Sequence, residues 1–384
     1  MKRITLLAIS ASMLLATNGD NLTALGAKAR AMGGVGIATF FGAENTLSNP
    51  ALIGKSKGTE IDFGATLFMP DVKARGEKSS ADTNVIPEIS ISQKINENWS
   101  FGIGMFGSAG MGVDYRGSSN PLLMQARTNL LLMKFAPAIA YSNDKLSIGF
   151  APVLQYGSLD ISYNNSGTQV GKGSSDDFGF GFETGATYDI TNDFRVGLIY
   201  KSSIKMKYER TLSIASQPFV PPFSSAFADD LEQPAEYGIG TSYNYGNFNF
   251  SFDYKKVKWA SAKGYKDFGW KDQDIYALGA KYEQAGTWYA IGYNYAKNPL
   301  TNYAGTTPKG AVLNLFNYLM FPATEETHYS VGAGTKITKN LSLGASLVYA
   351  PKKSITTNLS GMGIPSLKVD HSETSLTFSL KYNF

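Results

Sequence analysis

From residue 59 to its last residue the chain alternates apolar and polar side chains with a period of two. The end of the sequence shows the pattern plainly: Leu376, Phe378, Leu380, Tyr382 and Phe384 are separated by Thr377, Ser379, Lys381 and Asn383. Successive side chains of a strand point to opposite faces, so such a segment has one greasy face and one polar face. Ile61, Phe63, Ala65, Leu67 and Met69 repeat the pattern, as do Phe248, Phe250 and Phe252 between Asn249, Ser251 and Asp253. Fourteen segments of this kind are expected, at about 59–70, 85–95, 99–112, 128–141, 146–160, 175–188, 194–208, 235–245, 248–260, 273–283, 288–296, 327–337, 341–351 and 373–384. Each has about the length a tilted strand needs to cross a bilayer.

The gaps between segments narrow the architecture further. Every second gap is tiny and rich in turn residues, such as Asn96-Glu97-Asn98, Gly246-Asn247 and Thr338-Lys339-Asn340. The others run to roughly 14–30 residues. Short turns at one end, long loops at the other and an even strand count describe an antiparallel transmembrane β-barrel of the bacterial outer membrane. A soluble sandwich explains the period but not the alternation of loop lengths. Closure has a physical motive, because lipid cannot satisfy the unpaired backbone groups of an open sheet edge.

Ahead of the barrel, Lys2 and Arg3 precede an apolar stretch, Ile4 to Ala16, and then Thr17, Asn18 and Gly19. This is the form of a secretory signal peptide, residues 1–19, with cleavage expected after Gly19 and the cut after Ala16 as the next choice. Removal of Lys2 and Arg3 lowers the formal charge from +4 to +2, too weak a field to suggest nucleic acid as partner. With no cysteine and two histidines, thiolate zinc sites, disulfides and thiol nucleophiles are excluded. No metal or cofactor is expected.

Residues 20–58 do not alternate. Fourteen strands enclose a bore far wider than the eight that side chains alone fill, and about forty residues of small, mixed character suit a plug inside it. Gly33, Gly34 and Gly36 superficially match a dinucleotide loop, but Thr39 stands at the third glycine position and no strand precedes them. They serve close backbone packing better.

Three stretches then carry a resemblance. Ala31-Met32-Gly33-Gly34-Val35-Gly36-Ile37-Ala38 is followed by Asn49-Pro50-Ala51-Leu52 and by a first strand running into Met69-Pro70-Asp71-Val72. Together with Phe252-Asp253-Tyr254 and Trp270-Lys271-Asp272, these resemble the FadL family of outer-membrane transporters of long-chain fatty acids and other hydrophobic compounds. The Asn49-Pro50-Ala51 motif is that family's most specific short signature. The third strand has an internal run, Phe106-Gly107-Ser108-Ala109-Gly110-Met111-Gly112, and glycines inside a strand mark bulges or bends. In FadL-like proteins a kink here opens a hole in the barrel wall, so the resemblance implies sideways release of cargo at Phe106, Gly107, Ser108, Ala109 and Gly110.

Capture surfaces are sought in the long loops, where exposed apolar clusters mark binding sites. Candidates are Leu122, Leu123 and Met124, then Phe219, Phe223 and Phe227 at spacing four, and Phe316 within an apolar run. Such linings suit fatty acids, alkanes and monoaromatics alike. A carboxylate on the cargo would call for a buried cation; Lys134, on the lumen face of strand four, and Lys271 are the candidates. Plug movement on binding is suggested by the glycines at 33–36. Transfer is expected to be passive, since the sequence has no energy-coupling box or nucleotide loop, and the protein monomeric, surrounded by outer-membrane lipid and lipopolysaccharide.

Two other classes compete. An outer-membrane lipase or deacylase would draw on His328 or His371, but no nucleophile motif accompanies either, and the acid pairs Asp176-Asp177, Asp229-Asp230 and Glu325-Glu326 read as solvated charge. An unselective porin or an adhesin is opposed by the plug. The chain is therefore expected not to be an enzyme.

Overall fold

The structure, a computed structural model, describes residues 17–384. The expected signal segment falls outside the described residues apart from Thr17, Asn18 and Gly19.

Fourteen antiparallel strands close into one ring. They are β1 (Thr59–Ala74), β2 (Asn84–Lys94), β3 (Trp99–Asp114), β4 (Arg127–Ser142), β5 (Leu146–Asn165), β6 (Ser175–Asp189) and β7 (Phe194–Lys201). The second half comprises β8 (Glu236–Tyr245), β9 (Phe248–Val257), β10 (Gln273–Gln284), β11 (Thr287–Ala296), β12 (Thr327–Lys336), β13 (Leu341–Thr357) and β14 (Leu367–Asn383). Each pairs with its neighbour in sequence, and β14 closes on β1, with Thr377 opposite Thr66.

The period-two faces sort as lipid demands. Phe63, Phe101, Phe180, Leu198, Ile291 and Phe378 are exposed on the outside, while Thr66, Ser92, Asp253, Ser375 and Thr377 are buried facing the bore. Exposed aromatics gather at two levels. Trp99, Tyr141, Tyr188 and Tyr382 lie by the short turns, and Tyr200, Tyr237, Tyr276 and Tyr329 by the long loops. These are the two interfacial girdles of a membrane barrel. Among the described residues no helix is long and apolar enough to cross a membrane.

Three boundaries differ from expectation by six residues or more. β7 stops at Lys201 instead of 208, because Ile204 and Lys207 leave the wall to pair with Gln233 and Asp230 of the same loop. β13 runs on to Thr357 and β14 starts at Leu367, shrinking the seventh loop to 358–366 and placing His371 within a strand. That hairpin rises beyond the bilayer, where the outer face is polar (Lys368, Asp370) and the apolar residues turn inward, Leu367 and Val369 being buried with Ile355 packed against the same core, so the lipid-facing pattern lapses.

Residues 20–58 touch the wall on many sides of the ring. Asn294 of β11 donates to the Gly33 carbonyl at 3.0 Å, Asp253 of β9 accepts from the Gly36 and Ile37 N–H groups at 2.7 and 3.0 Å, and Glu60 of β1 accepts from Ala43 N–H at 2.6 Å. The segment is thus bonded to bore-facing side chains of β1, β9 and β11. It holds a short helix, α1 (Ala27–Ala31), and a 3₁₀ turn, Pro50–Lys55.

Asn49 organises that turn. Its side chain caps Ala51 N–H at 3.0 Å and donates to the Ile37 carbonyl at 2.6 Å, while Pro50 occupies a first-turn position where a missing N–H costs nothing. On the facing wall, Gly149 of β5 has no side chain, and a Cβ there would overlap the Pro50–Ala51 backbone. Gly33 has φ +73° and packs against the main chain of Leu278 and Tyr293, two reasons for glycine at one position.

Candidate functional site

The long loops fold together over the mouth of the barrel. In the sixth, α2 (Pro308–Leu315) begins at a Thr307 cap and runs into a wider turn, Phe316–Met320, and nearly all of it is buried. The apolar run read there as a capture surface is therefore mostly the core of a lid.

A groove of about 510 Å³ opens on the outer surface of this lid. Leu122 and Met124 of the second loop, Phe219 of the fourth, and Met362 and Ile364 of the seventh form its apolar part, and Ser, Asn and Gln side chains of the second loop and around the end of β5, Asn120, Gln125 and Asn164 among them, its polar part. Leu123 points the other way and is wholly buried. Behind Phe219 lies a chain of rings: Phe219 to Phe316 at 5.7 Å, Phe316 to Phe268 at 5.5 Å and Phe268 to Phe321 at 6.5 Å. Phe227 joins at 4.9 Å from Phe268, and Phe223 follows at 5.0 Å from Phe227. Edge-to-face and tilted contacts at these separations are favourable for aromatic quadrupoles.

Phe268 and Phe321 form part of a second, inner cavity. Met111 and Leu130 supply its wall side, Leu212 and Leu231 its fourth-loop side, and Tyr265, Trp270 and Asn317 complete it. The side chains leave only about 10 Å³ free, room for a single water at most. A third cavity, of about 100 Å³, lies towards the plug and is charged, with Lys134, Lys201, Glu183 and Glu236 among its lining.

Residues 17–22 form a strap between the apolar and the charged cavities. Thr17 N–H donates to Glu373 at 3.2 Å, and Asn21 pairs with Ala109 of β3. Asp20 between them is wholly buried; its carboxylate accepts from the Tyr265 hydroxyl and from Gln233 at 2.9 Å. Burial pushes the Asp20 carboxyl up to about 6 against the pull of these donors.

The strap meets β3 where the wall is broken. Pairing of β2 with β3 runs from Lys94–Ser100 to Glu88–Phe106 and, among the described residues, no further. One position on, Pro87 has no N–H to offer. On its other side β3 skips a residue against β4, with Gly107 opposite Met133 and Ala109 opposite Leu132, leaving Ser108 as a bulge. Above, Ser79 and Ser80 bond to Asp114 at 2.9 Å and rejoin the edges. Between these limits Ile86 packs against Gly107 and the strap bonds Gly110. Phe106, Gly107, Ser108, Ala109 and Gly110 thus flank a gap in the ladder. Arg30 of the plug stands at its base, 3.6 Å from Glu88.

The two lysine candidates part company. Lys134 does face the bore, but Glu183 holds it at 3.4 Å. Lys271 is exposed and lines neither the groove nor the inner cavity.

The histidines meet unexpectedly. His328 and His371 both approach Glu373, at 3.4 and 3.2 Å. Glu325, read from sequence as solvated charge, is buried 3.7 Å from His371, because the sixth loop folds into the mouth instead of standing in water. Thr324 lies 3.1 Å from His371 Nδ1, but the Pro322 carbonyl faces the same nitrogen at 3.1 Å. A carbonyl only accepts, so Nδ1 carries a proton and offers Thr324 no base.

Asp20, Tyr265 and Glu88 were not singled out from the sequence, and Asp253 only within the Phe252-Asp253-Tyr254 stretch, not as a partner of residues 36 and 37. The one signal available was an acid on a lumen face otherwise built from Ser, Thr and Asn, as in Asn249, Ser251, Asp253.

The sequence model of one family, described as outer membrane protein transport protein (OMPP1/FadL/TodX), matches residues 4–384. A 47 kDa outer membrane protein of Pasteurella multocida (strain Pm70) is 22% identical over 363 residues, covering 83% of each chain. A long-chain fatty acid transport protein of Escherichia coli O6:H1 (strain CFT073) is 23% identical over 358 residues, 76% of this chain and 80% of that one. Among solved structures, the Pseudomonas putida toluene transporter TodX superposes with a TM-score of 0.73 at 18% identity, covering 96% of this chain and 100% of the other.

Proposed function

The chain belongs to the outer membrane protein transport family (OMPP1/FadL/TodX), a family of transporters and not of enzymes, and on that premise we propose that it brings hydrophobic small molecules across the outer membrane by passive diffusion. The continuity of the ring chain from Phe219 at the outer groove to Phe268 and Phe321 at the inner cavity carries this reading. A hydrophobic solute needs apolar contact at every stage, and water-filled pores supply none. Aromatic hydrocarbons and alkanes are the cargo classes the lining suits, and of a fatty acid it suits the acyl chain.

In this scheme Leu122, Met124 and Phe219 capture cargo from the lipopolysaccharide surface. The Phe223, Phe227 and Phe316 cluster yields by ring exchange, and cargo reaches the inner cavity. Met111 belongs to both that cavity and β3, so the next step is sideways, through the gap at 106–110 into the lipid. The strap has to leave Ala109 and Gly110 for that, with Gly33 and Gly34 as turns about which the plug moves. The barrel works as a monomer, since the ring closes on itself and the stretch of β3 edge that β2 leaves unpaired is met by this chain's own strap.

The leader is removed on export. Burial of Thr17 and Asn18, and the seat of Gly19 on the Trp259 ring, favour the cut after Ala16 over the one after Gly19.

Vesicles reconstituted with the protein test the reading. Uptake of a fluorescent hydrophobic probe should exceed that of empty vesicles several-fold and fall in the Leu122→Asp, Phe219→Asp double variant. No excess over empty vesicles, or a large steady ion conductance in planar bilayers, contradicts it.

A further inference from the structure

Resting on the uptake reading, we infer that the inner cavity selects neutral hydrocarbons, aromatic ones above all, and turns away molecules that carry a carboxylate. The ground is how its polar atoms are committed. Trp270 Nε1 donates to Asn317 at 3.1 Å, Asn317 Nδ2 donates to the Phe268 carbonyl at 3.0 Å, and the Tyr265 hydroxyl donates to Asp20. These donors point away from any guest. What remains for a guest is ring faces, ring edges and aliphatic carbon.

The charge closest to this wall has the wrong sign for an acid. Asp20 stands directly behind Tyr265, with Oδ1 buried and without a hydrogen-bond partner. With its carboxyl at about 6, the group is largely ionised in neutral solution. Lys134 acts on Asp20 from the other cavity, but it and Lys201 line that cavity, not this one, and are held there by Glu183 and Glu236 at 3.4 and 3.5 Å. A carboxylate entering the inner cavity therefore gives up its water, finds no cation and faces another carboxylate. A neutral ring of similar size incurs none of this and replaces one edge-to-face contact by another.

Toluene and benzoate make a matched pair, differing by a methyl group against a carboxylate on the same ring, and dodecanoate covers the fatty acids. Each is titrated at pH 7.5 against the full-length protein in detergent, followed by the emission of Trp259 and Trp270 beside the cavity and checked against a Trp270→Phe variant. Toluene should bind saturably and both carboxylates at least tenfold more weakly. Two variants sharpen the reading: Asp20→Asn should narrow the gap, and Leu212→Lys, which puts a cation into the cavity, should strengthen dodecanoate binding about tenfold. The heat-modifiable migration of a folded barrel certifies each variant, and if Leu212→Lys does not fold, the matched pair and Asp20→Asn still decide. Benzoate or dodecanoate competing with toluene at similar affinity overturns the selectivity and leaves uptake standing. Binding of none of the three overturns both.

Discussion

The main-chain N–H of Gly110 donates to the carbonyl oxygen of Asp20 at 3.0 Å, so the β3 edge that β2 leaves unpaired is met by the plug instead. The neighbouring Asn21–Ala109 pairing extends this contact. A wall strand with an open edge is costly in lipid, and the strap, through Asp20 and Asn21, supplies part of what a neighbour would.

Because the chain has no cysteine, this contact can be locked cleanly. Asn21→Cys with Ala109→Cys places two thiols on directly paired residues, about 4.5–5.5 Å apart between Cα atoms, within disulfide reach. Oxidation should cut probe uptake at least tenfold and reductant should restore it. Equal uptake in both states would show that the strap does not have to move.

Asp253 anchors the plug through two N–H groups, at Gly36 and Ile37. Hydrogen bonds to a charged group contribute about 1.5–3 kcal/mol each. Asp253→Ala should leave the barrel folded but loosen the plug. The check is labelling of a Val35→Cys reporter, which should be slow in the parent and at least tenfold faster in the variant.

Gly149→Val puts a side chain where the Pro50–Ala51 backbone lies. Overpacking of this kind costs about 1–3 kcal/mol. The turn should be pushed off the wall, with a rise in single-channel conductance. Unchanged conductance would mean that the plug does not seat against β5.

Much of this was legible in advance. All fourteen strands follow from the side-chain period and the turn residues, because lipid enforces the alternation at every position it touches. The gap at β3 was marked by Gly107, Gly110 and Gly112. The inner cavity was hidden, since Tyr265, Phe268 and Trp270 come from one loop, Leu212 and Leu231 from another, and no period links them. Glu325 misled because a loop acid is usually wet, and burial depends on where the sixth loop folds.

Glu325 also predicts a pH dependence. Burial raises its carboxyl from 4.5 to about 8, although His371 opposes the shift. The folded chain keeps a proton there that the unfolded chain gives up, so the stabilisation is whole below pH 4.5 and is lost as pH rises towards 8. The full effect is on the order of 5 kcal/mol. Apparent melting temperatures of the parent should fall between pH 5 and 8.5 relative to Glu325→Gln, whereas parallel curves would rule the shift out.

Sideways release is tested most directly by deleting Ser108, the residue that throws β3 out of register with β4. The deletion should restore the ladder, close the gap between β2 and β3, and leave a folded, heat-modifiable barrel that still binds toluene. Cells carrying it should accumulate radiolabelled toluene at least tenfold more slowly than cells carrying the parent. Accumulation at the parental rate by a folded deletion variant would mean that cargo does not leave through the wall at 106–110.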